Sequence, residues 1–435
     1  RTICRILDKC NKAMLEMKRE CEHYQILDSV GTLTFHLMRL ASQMDEFLEK
    51  PREFPEKKTV LDFYFALRNF LNIYDLVDDH YVIYSQMTEE GQFRIRLFCV
   101  DPSVNLQKCI DKSNSTIFFS ATLLPIGYYK RLLSTDEDNY AIYAQSTFAQ
   151  TQRLLAFGRD VSTKYTRRNR KEYEKIADYI SAVTEAQQGN YMVFFPSYRL
   201  MQDVYEVFAG KAADSCEILM QHSNMKEHER EAFLEEFEKE RQGTLVAFCV
   251  MGGIFGEGID LKNDRLIGAI IVGTGLPQVS DEREILKNYY DERGLSGFDY
   301  AFRYPGMNKV LQAAGRVIRT SEDRGVILLL DERFLQREYA SLFPREWEER
   351  TICSLPQLRE GISRFWRSFR NSSVEAETGR VGFKEATSCR AGIVSFVRTR
   401  NRSSGLCFRQ KSGIKAIPRP IRAMSMSRSL LLSST

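Results

Sequence analysis

The sequence lacks most of the short signatures that would assign a class at once. It has ten cysteines but no Cys-x-x-Cys pair, which removes the usual zinc-ribbon and dithiol motifs. Cys4, Cys10 and Cys21 lie in a helical stretch, Cys99 and Cys249 in apolar strand-like runs, and Cys353, Cys389 and Cys407 near the end. In a long chain of this composition, reduced thiols in a cytosol are expected. His23, His36, His80, His222 and His228 show no zinc-like spacing, so no metal site is expected within the chain. The longest apolar stretch beside a strand signal, Leu266–Val272, is far too short to cross a bilayer. No leader peptide is visible, and the chain opens at Arg1. A cytoplasmic protein without membrane contact is the expectation.

Nor does the charge argue for a partner. The net charge is +4, but Arg370–Thr435 holds thirteen Lys/Arg against three Glu. That segment carries +10, so the rest carries −6. The basic balance belongs to the tail, and nothing about nucleic acid follows from it.

What is present is a change of period along 435 residues, a length that suits two or three domains. Ile3, Ile6, Leu7, Cys10, Met14 and Met17 recur at helical spacing, and helices are expected throughout residues 1–75. His80–Tyr84 and Phe93–Phe98 read as strands about a Glu-Glu-Gly turn, and Ser115–Leu123 as a further short strand. From about 126 to 345 strands alternate with helices: Tyr191–Phe195, a charged helix from Lys226 to Arg241, Thr244–Cys249, Leu266–Val272 and Val326–Leu330. Such alternation predicts an α/β fold with a parallel sheet flanked by helices. The last seventy or so residues lose all periodicity and are expected to be disordered.

Four segments carry candidate chemistry. In Gln312-Ala-Ala-Gly-Arg-Val-Ile-Arg319, following Pro305, helical geometry would set Gln312, Gly315, Arg316 and Arg319 on one face. Paired guanidinium forks beside a glycine suit a polyphosphate; a solvated helix face is the plain alternative. Gly252-Gly-Ile-Phe-Gly-Glu-Gly-Ile-Asp260 follows a strand directly, where an α/β sheet places ligands. Its amides would meet phosphate, with Gly256, Glu257, Gly258 and Asp260 as nucleotide-binding candidates. Phe194-Phe-Pro-Ser-Tyr198 ends a strand with Ser197 and Tyr198 available to nucleic acid, although core packing accounts for its phenylalanines. Ser120-Ala121-Thr122, three small residues after a strand, means nothing alone.

Together, in order and spacing, these segments resemble the later motifs of superfamily 2 helicases. More narrowly, Leu97–Ser103, Phe194–Tyr198, Gly256–Asp260, Gly275-Leu-Pro277 and Gln312–Arg319 look like the XPD/DinG-type DNA helicases, over roughly residues 76–366. The resemblance implies a RecA-like second motor domain at 126–366, preceded by a helical arch-like segment at 1–75 and a remnant of the first motor domain at 76–125. Residues 367–435 would be a basic tail, disordered or artefactual. ATP would bind between two motor domains and single-stranded DNA would lie across them, with duplex junctions as substrates, in repair or recombination. By this carry-over Arg316 and Arg319 would reach the triphosphate, Arg319 as the arginine finger, while Gln312 would sense the γ-phosphate or position water. Glu257 and Asp260 would couple nucleotide state to DNA grip, Ser120–Thr122 would link the domains, and Ser197 and Tyr198 would contact DNA.

One required part is missing. No Gly-x-x-x-x-Gly-Lys-Ser/Thr loop occurs: Gly210-Lys211 is followed by Ala212 and lacks the upstream glycine. Without it the β- and γ-phosphates have no cradle and Mg²⁺ lacks its hydroxyl ligand. ATP and Mg²⁺ are therefore expected to be held mainly by a part preceding Arg1, as would any iron–sulfur cluster, whose spacing Cys4, Cys10 and Cys21 do not fit. Val326–Glu332 imitates the acidic motif but lies after the arginines, and is expected to be a final strand with a polar exit. Two outcomes are carried forward. One is the C-terminal part of an ATP-dependent DNA helicase, inactive alone; the other is a non-enzymatic nucleic-acid-binding protein with a degenerate motor fold.

Overall fold

The computed structural model describes residues 1–49, 54, 56–212, 216–255, 261, 265–378 and 393–397. These pack into two units, one of residues 1–114 with 132–135, the other of residues 115–131 with those from 136 onward.

The first unit contains helices α1 (Thr2–Glu20), α2 (Thr32–Leu48), α3 (Lys57–Tyr74) and α4 (Ser103–Ile110). Its strands are β1 (Tyr24–Leu27), β2 (Tyr81–Met87) and β3 (Phe93–Cys99). The apolar stripe of α1 buries Ile6, Cys10 and Ala13 against Leu33, Leu37 and Leu40 of α2, as its period requires. Asp45 of α2 accepts hydrogen bonds from Tyr64 and Arg68 of α3. Strand β1 departs from the all-helical expectation. Cys21 closes α1 in an extended conformation, and Tyr24–Leu27 then pairs antiparallel with β2, which pairs in turn with β3.

The second unit is built on seven parallel strands in the order β12-β6-β11-β10-β7-β9-β8. They are β6 (Arg153–Gly158), β7 (Asn190–Phe195), β8 (Glu217–Met220), β9 (Leu245–Val250), β10 (Gly268–Val272), β11 (Gly325–Leu330) and β12 (Thr351–Cys353). Successive residues alternate between two cores: Ala269 and Ile271 enter one, Ile270 and Val272 the other. That double burial is why these strands read as unbroken apolar runs. Helices α6 (Arg170–Thr184), α7 (Tyr198–Ala212) and α12 (Leu355–Thr378) cover one face. The other is covered by α8 (Glu227–Glu235), α10 (Tyr304–Ala314) and α11 (Arg337–Ala340), and α9 (Asp281–Glu292) precedes α10. The expected α/β sandwich is present. Helix α8 is shorter than the charged run suggested, because residues past Glu235 turn away. Strand β11 lies inside the sheet, and β12 follows it.

Three more strands, β4 (Thr116–Ser120), β5 (Tyr140–Tyr143) and β13 (Ile393–Val397), form a separate antiparallel sheet with β13 in the middle, and α5 (Ile126–Leu133) links β4 to β5. Of the tail expected to lack order, α12 runs on to Thr378 and β13 pairs with both neighbours; the rest lies outside the described residues. Among the described residues no helix is long and apolar enough to cross a membrane.

Candidate functional site

Because the seven strands are parallel, their carboxyl ends share one edge, where open α/β sheets bind ligands. At the end of β7, Ser197 caps α7: its Oγ accepts the Leu200 N–H at 3.3 Å and its carbonyl the Met201 N–H at 3.1 Å. Tyr198 opens the helix with its ring 40% exposed. Its hydroxyl accepts from Gln221 Nε2 at 3.0 Å, which leaves the hydroxyl proton to donate elsewhere. Burial and the nearby Cys249 hold that phenol above its ordinary pKa, against the Gln221 bond, so it stays a donor at neutral pH.

Gln221 itself is 2% exposed. Its Oε1 accepts the Val250 N–H at 2.8 Å and its own N–H reaches the Phe248 carbonyl at 2.9 Å, so one side chain ties the exits of β8 and β9 to α7. Sequence reasoning passed it over. The available signal was a lone amide closing the apolar run Ile218-Leu-Met-Gln221.

The exit of β9 is a glycine turn. Gly252 has φ +69°, and a Cβ there would stand 2.7 Å from Lys309 Cε of α10. Phe255 stacks on Phe233 at 4.2 Å and shares a core with Met307, Val310 and Leu311, so the turn is packed beneath α10. Gly256, Glu257, Gly258 and Asp260 lie outside the described residues. At the exit of β10, Gly275 has φ +65°, and a Cβ there would meet the Gly306 carbonyl at 2.6 Å. A Cβ on Gly306 would stand 2.8 Å from the Thr274 carbonyl. Helix α10 thus meets the Gly275-Leu-Pro277 loop backbone to backbone, with Pro305 in its first turn as expected.

The end of α10 corrects the expected helical face. The helix stops at Ala314, and Gly315, exposed, is its C-cap. Arg316 sits in the following turn and Arg319 beyond it, so only Gln312 of the predicted set is on the helix. The cause is Asp323, whose carboxylate accepts the N–H groups of Arg319 and Thr320, both at 2.6 Å, and the Thr320 hydroxyl at 2.9 Å. With buried Val317 held in the core, these bonds draw the chain out of the helix. Gln312, Arg316 and Arg319 are all half-buried rather than splayed into solvent.

Ser120 ends β4 of the separate sheet, and Ala121 and Thr122 turn out of it. Thr122 N–H donates to Ser120 Oγ at 3.2 Å, and the two hydroxyls stand 3.2 Å apart. The acidic-motif imitation at Asp331 is tied up locally. Asp331, 1% exposed, accepts from Arg333 Nε at 2.8 Å and Nη2 at 2.9 Å and from the Thr163 N–H at 3.0 Å. Both its oxygens are occupied, and among the described residues no group of three or more acidic, His or Cys side chains could hold a metal ion.

Residues 180–350 match the helicase C-terminal domain family. The ATP-dependent DNA helicase CHL1 of Coccidioides immitis is 22% identical over 381 residues, covering 77% of this chain and 44% of its own. A regulator of telomere elongation helicase 1 homolog of Caenorhabditis briggsae is 25% identical over 342 residues, covering 70% and 33% respectively. The ATP-dependent DNA helicase YoaA of Haemophilus influenzae is 30% identical over 171 residues, 39% of this chain and 25% of its own. A solved XPD helicase aligns over 81% of this chain and 61% of its own, at TM-score 0.46 and 20% identity. The chain thus spans less than half the length of these three curated relatives.

Proposed function

We propose, from the match of residues 180–350 to the helicase C-terminal domain and from two relatives that are ATP-dependent DNA helicases, that this chain supplies the second, RecA-like motor lobe of an ATP-dependent DNA helicase. Helix α10 carries the reading. It lies against the glycine exits of β9 and β10, it carries Gln312, and Arg316 and Arg319 follow its end, all three half-buried. In this reading the guanidinium groups of Arg316 and Arg319 neutralise charge on the transferred phosphoryl group, as an arginine finger does. Gln312 orients the attacking water by hydrogen bonding. Ser197 and Tyr198 lie along a single strand of DNA, and Ser120–Thr122 couples the lobe to its partner. The division proposed is residues 1–75 as an arch-like segment, 76–125 as part of the first motor domain and 126–366 as the second.

The phosphate-gripping loop is absent from the chain, so hydrolysis needs a lobe that contains one, and Mg²⁺ with it. In a motor that unites such a lobe with this chain, Arg319→Ala is expected to lower ATP turnover about a thousandfold while nucleotide binding, measured with a fluorescent ATP analogue, persists. Retained turnover rejects the finger assignment.

A further inference from the structure

Two cations near α10 have no carboxylate partner among the described residues. Lys309 runs its aliphatic stem across Gly252 and is half-buried, like Arg283 of α9. Among the described residues Arg283 gives one hydrogen bond, from Nη1 to the Ala301 carbonyl at 3.1 Å, and Lys309 gives none. Among the described residues neither is paired with a carboxylate. Burial, and then repulsion from Arg283, hold the Lys309 ammonium below the ordinary lysine pKa. Half-burying two like charges costs free energy that no carboxylate among the described residues repays. A bound anion removes that cost. The same turn carries Gly253, which abuts Gln221, and Gln221 holds the Tyr198 hydroxyl. Lys309, the open glycine backbone and a phenolic donor thus stand along one run of the carboxyl edge, with Arg283 near enough to repel the Lys309 ammonium.

We propose that Lys309 and Arg283 form a phosphate subsite that takes a backbone phosphate of the nucleic-acid strand passing Tyr198 and the Gly252 turn. The inference rests on the strand-binding reading above and adds the residues that grip the strand from α9 and α10. It is separate from Arg316 and Arg319, which serve the nucleotide.

The test uses the complete chain and fluorescein-labelled oligothymidylate, with binding followed by anisotropy across a sodium chloride series. A lost contact to single-stranded DNA lowers the slope of log K against log salt by about 0.7 per phosphate. That is about a fivefold loss of affinity at 0.1 M relative to 1 M salt. Lys309→Gln and Arg283→Gln are each expected to show this loss, Lys309→Arg to keep the wild-type slope, and all three to melt no lower than wild type. Free ATP added as competitor at matched ionic strength distinguishes the source of the phosphate and is expected not to displace the oligothymidylate. Wild-type slopes in both Gln variants overturn the subsite while leaving the functional reading standing, as does displacement of the strand by ATP that the Gln variants abolish. A wild-type chain that binds no strand at all overturns both.

Discussion

The two halves of the sheet's carboxyl edge handle polar groups in opposite ways. Beyond β6 and β11 the charges are closed on one another. Asp331 is bonded by Arg333 and Thr163, and Glu332 by Lys164 at 2.9 Å and Ser162 at 3.1 Å. Buried Glu172 accepts the Ser162 N–H at 2.6 Å, with Lys175 at 3.4 Å. Beyond β9 and β10 the backbone turns on glycines, α10 comes into backbone contact, and Lys309 and the Tyr198 proton have no acceptor among the described residues. A buried polar group must be satisfied somewhere. Where the protein satisfies it, the role is structural; where it does not, a ligand is the natural completion. The acidic pair most like a catalytic motif therefore sits in the half that holds the fold, and the half with unspent donors is the one proposed to take the ligand.

Breaking the closed half should cost most. Asp331→Ala strands Arg333 beside Thr163, and removing one member of a buried pair costs about 3–5 kcal/mol, read from the urea midpoint at constant m-value. A loss under about 1 kcal/mol would mean the network is not structural. Acid should act on the same half. Burial raises the Asp331 pKa, but the hydrogen bond and charge of Arg333 outweigh it, leaving the carboxyl below its ordinary value. Glu332 is held low first by its bond from Lys164. Both contribute stability that is present above the unfolded-state values of about 4 and lost as pH falls through the depressed folded values. Urea midpoints that do not fall below pH 4, or that fall equally in Asp331→Ala, would contradict this.

In the open half, Gly306→Ala places a methyl 2.8 Å from the Thr274 carbonyl and 3.0 Å from the Leu276 nitrogen. Neither backbone atom can yield cheaply, so about 1–3 kcal/mol of overpacking is expected. Gly361→Ala in α12 is the control. Nothing lies within 4 Å of that methyl, and a gain of up to about 1 kcal/mol in helix propensity is expected. Equal effects at the two glycines would show that the contact between α10 and the Gly275 loop is not close-packed.

The parallel sheet was readable from the sequence because strands buried on both faces leave unbroken apolar runs such as Leu266–Val272. The glycine exits were readable because glycine takes the positive φ at Gly252 and Gly275 without steric cost. The end of α10 was not. Gln312–Arg319 has faultless helical spacing, and what ends the helix is Asp323, a residue outside the motif whose carboxylate captures two later amides. Gln221 and Lys309 were equally invisible, since their roles arise from which strand exits the sheet order brings together. Strand β1 escaped for a similar reason: four residues between two amphipathic helices pair only because β2 lies alongside.

In the proposed division of labour this chain grips the strand and supplies arginines while another lobe holds the triphosphate. The ATP turnover of the purified 435-residue chain, with and without single-stranded DNA, beside a binding measurement on the same preparation, decides it. Strand binding that weakens with salt and no hydrolysis above the protein-free rate are expected. DNA-stimulated turnover by the chain alone would refute the division.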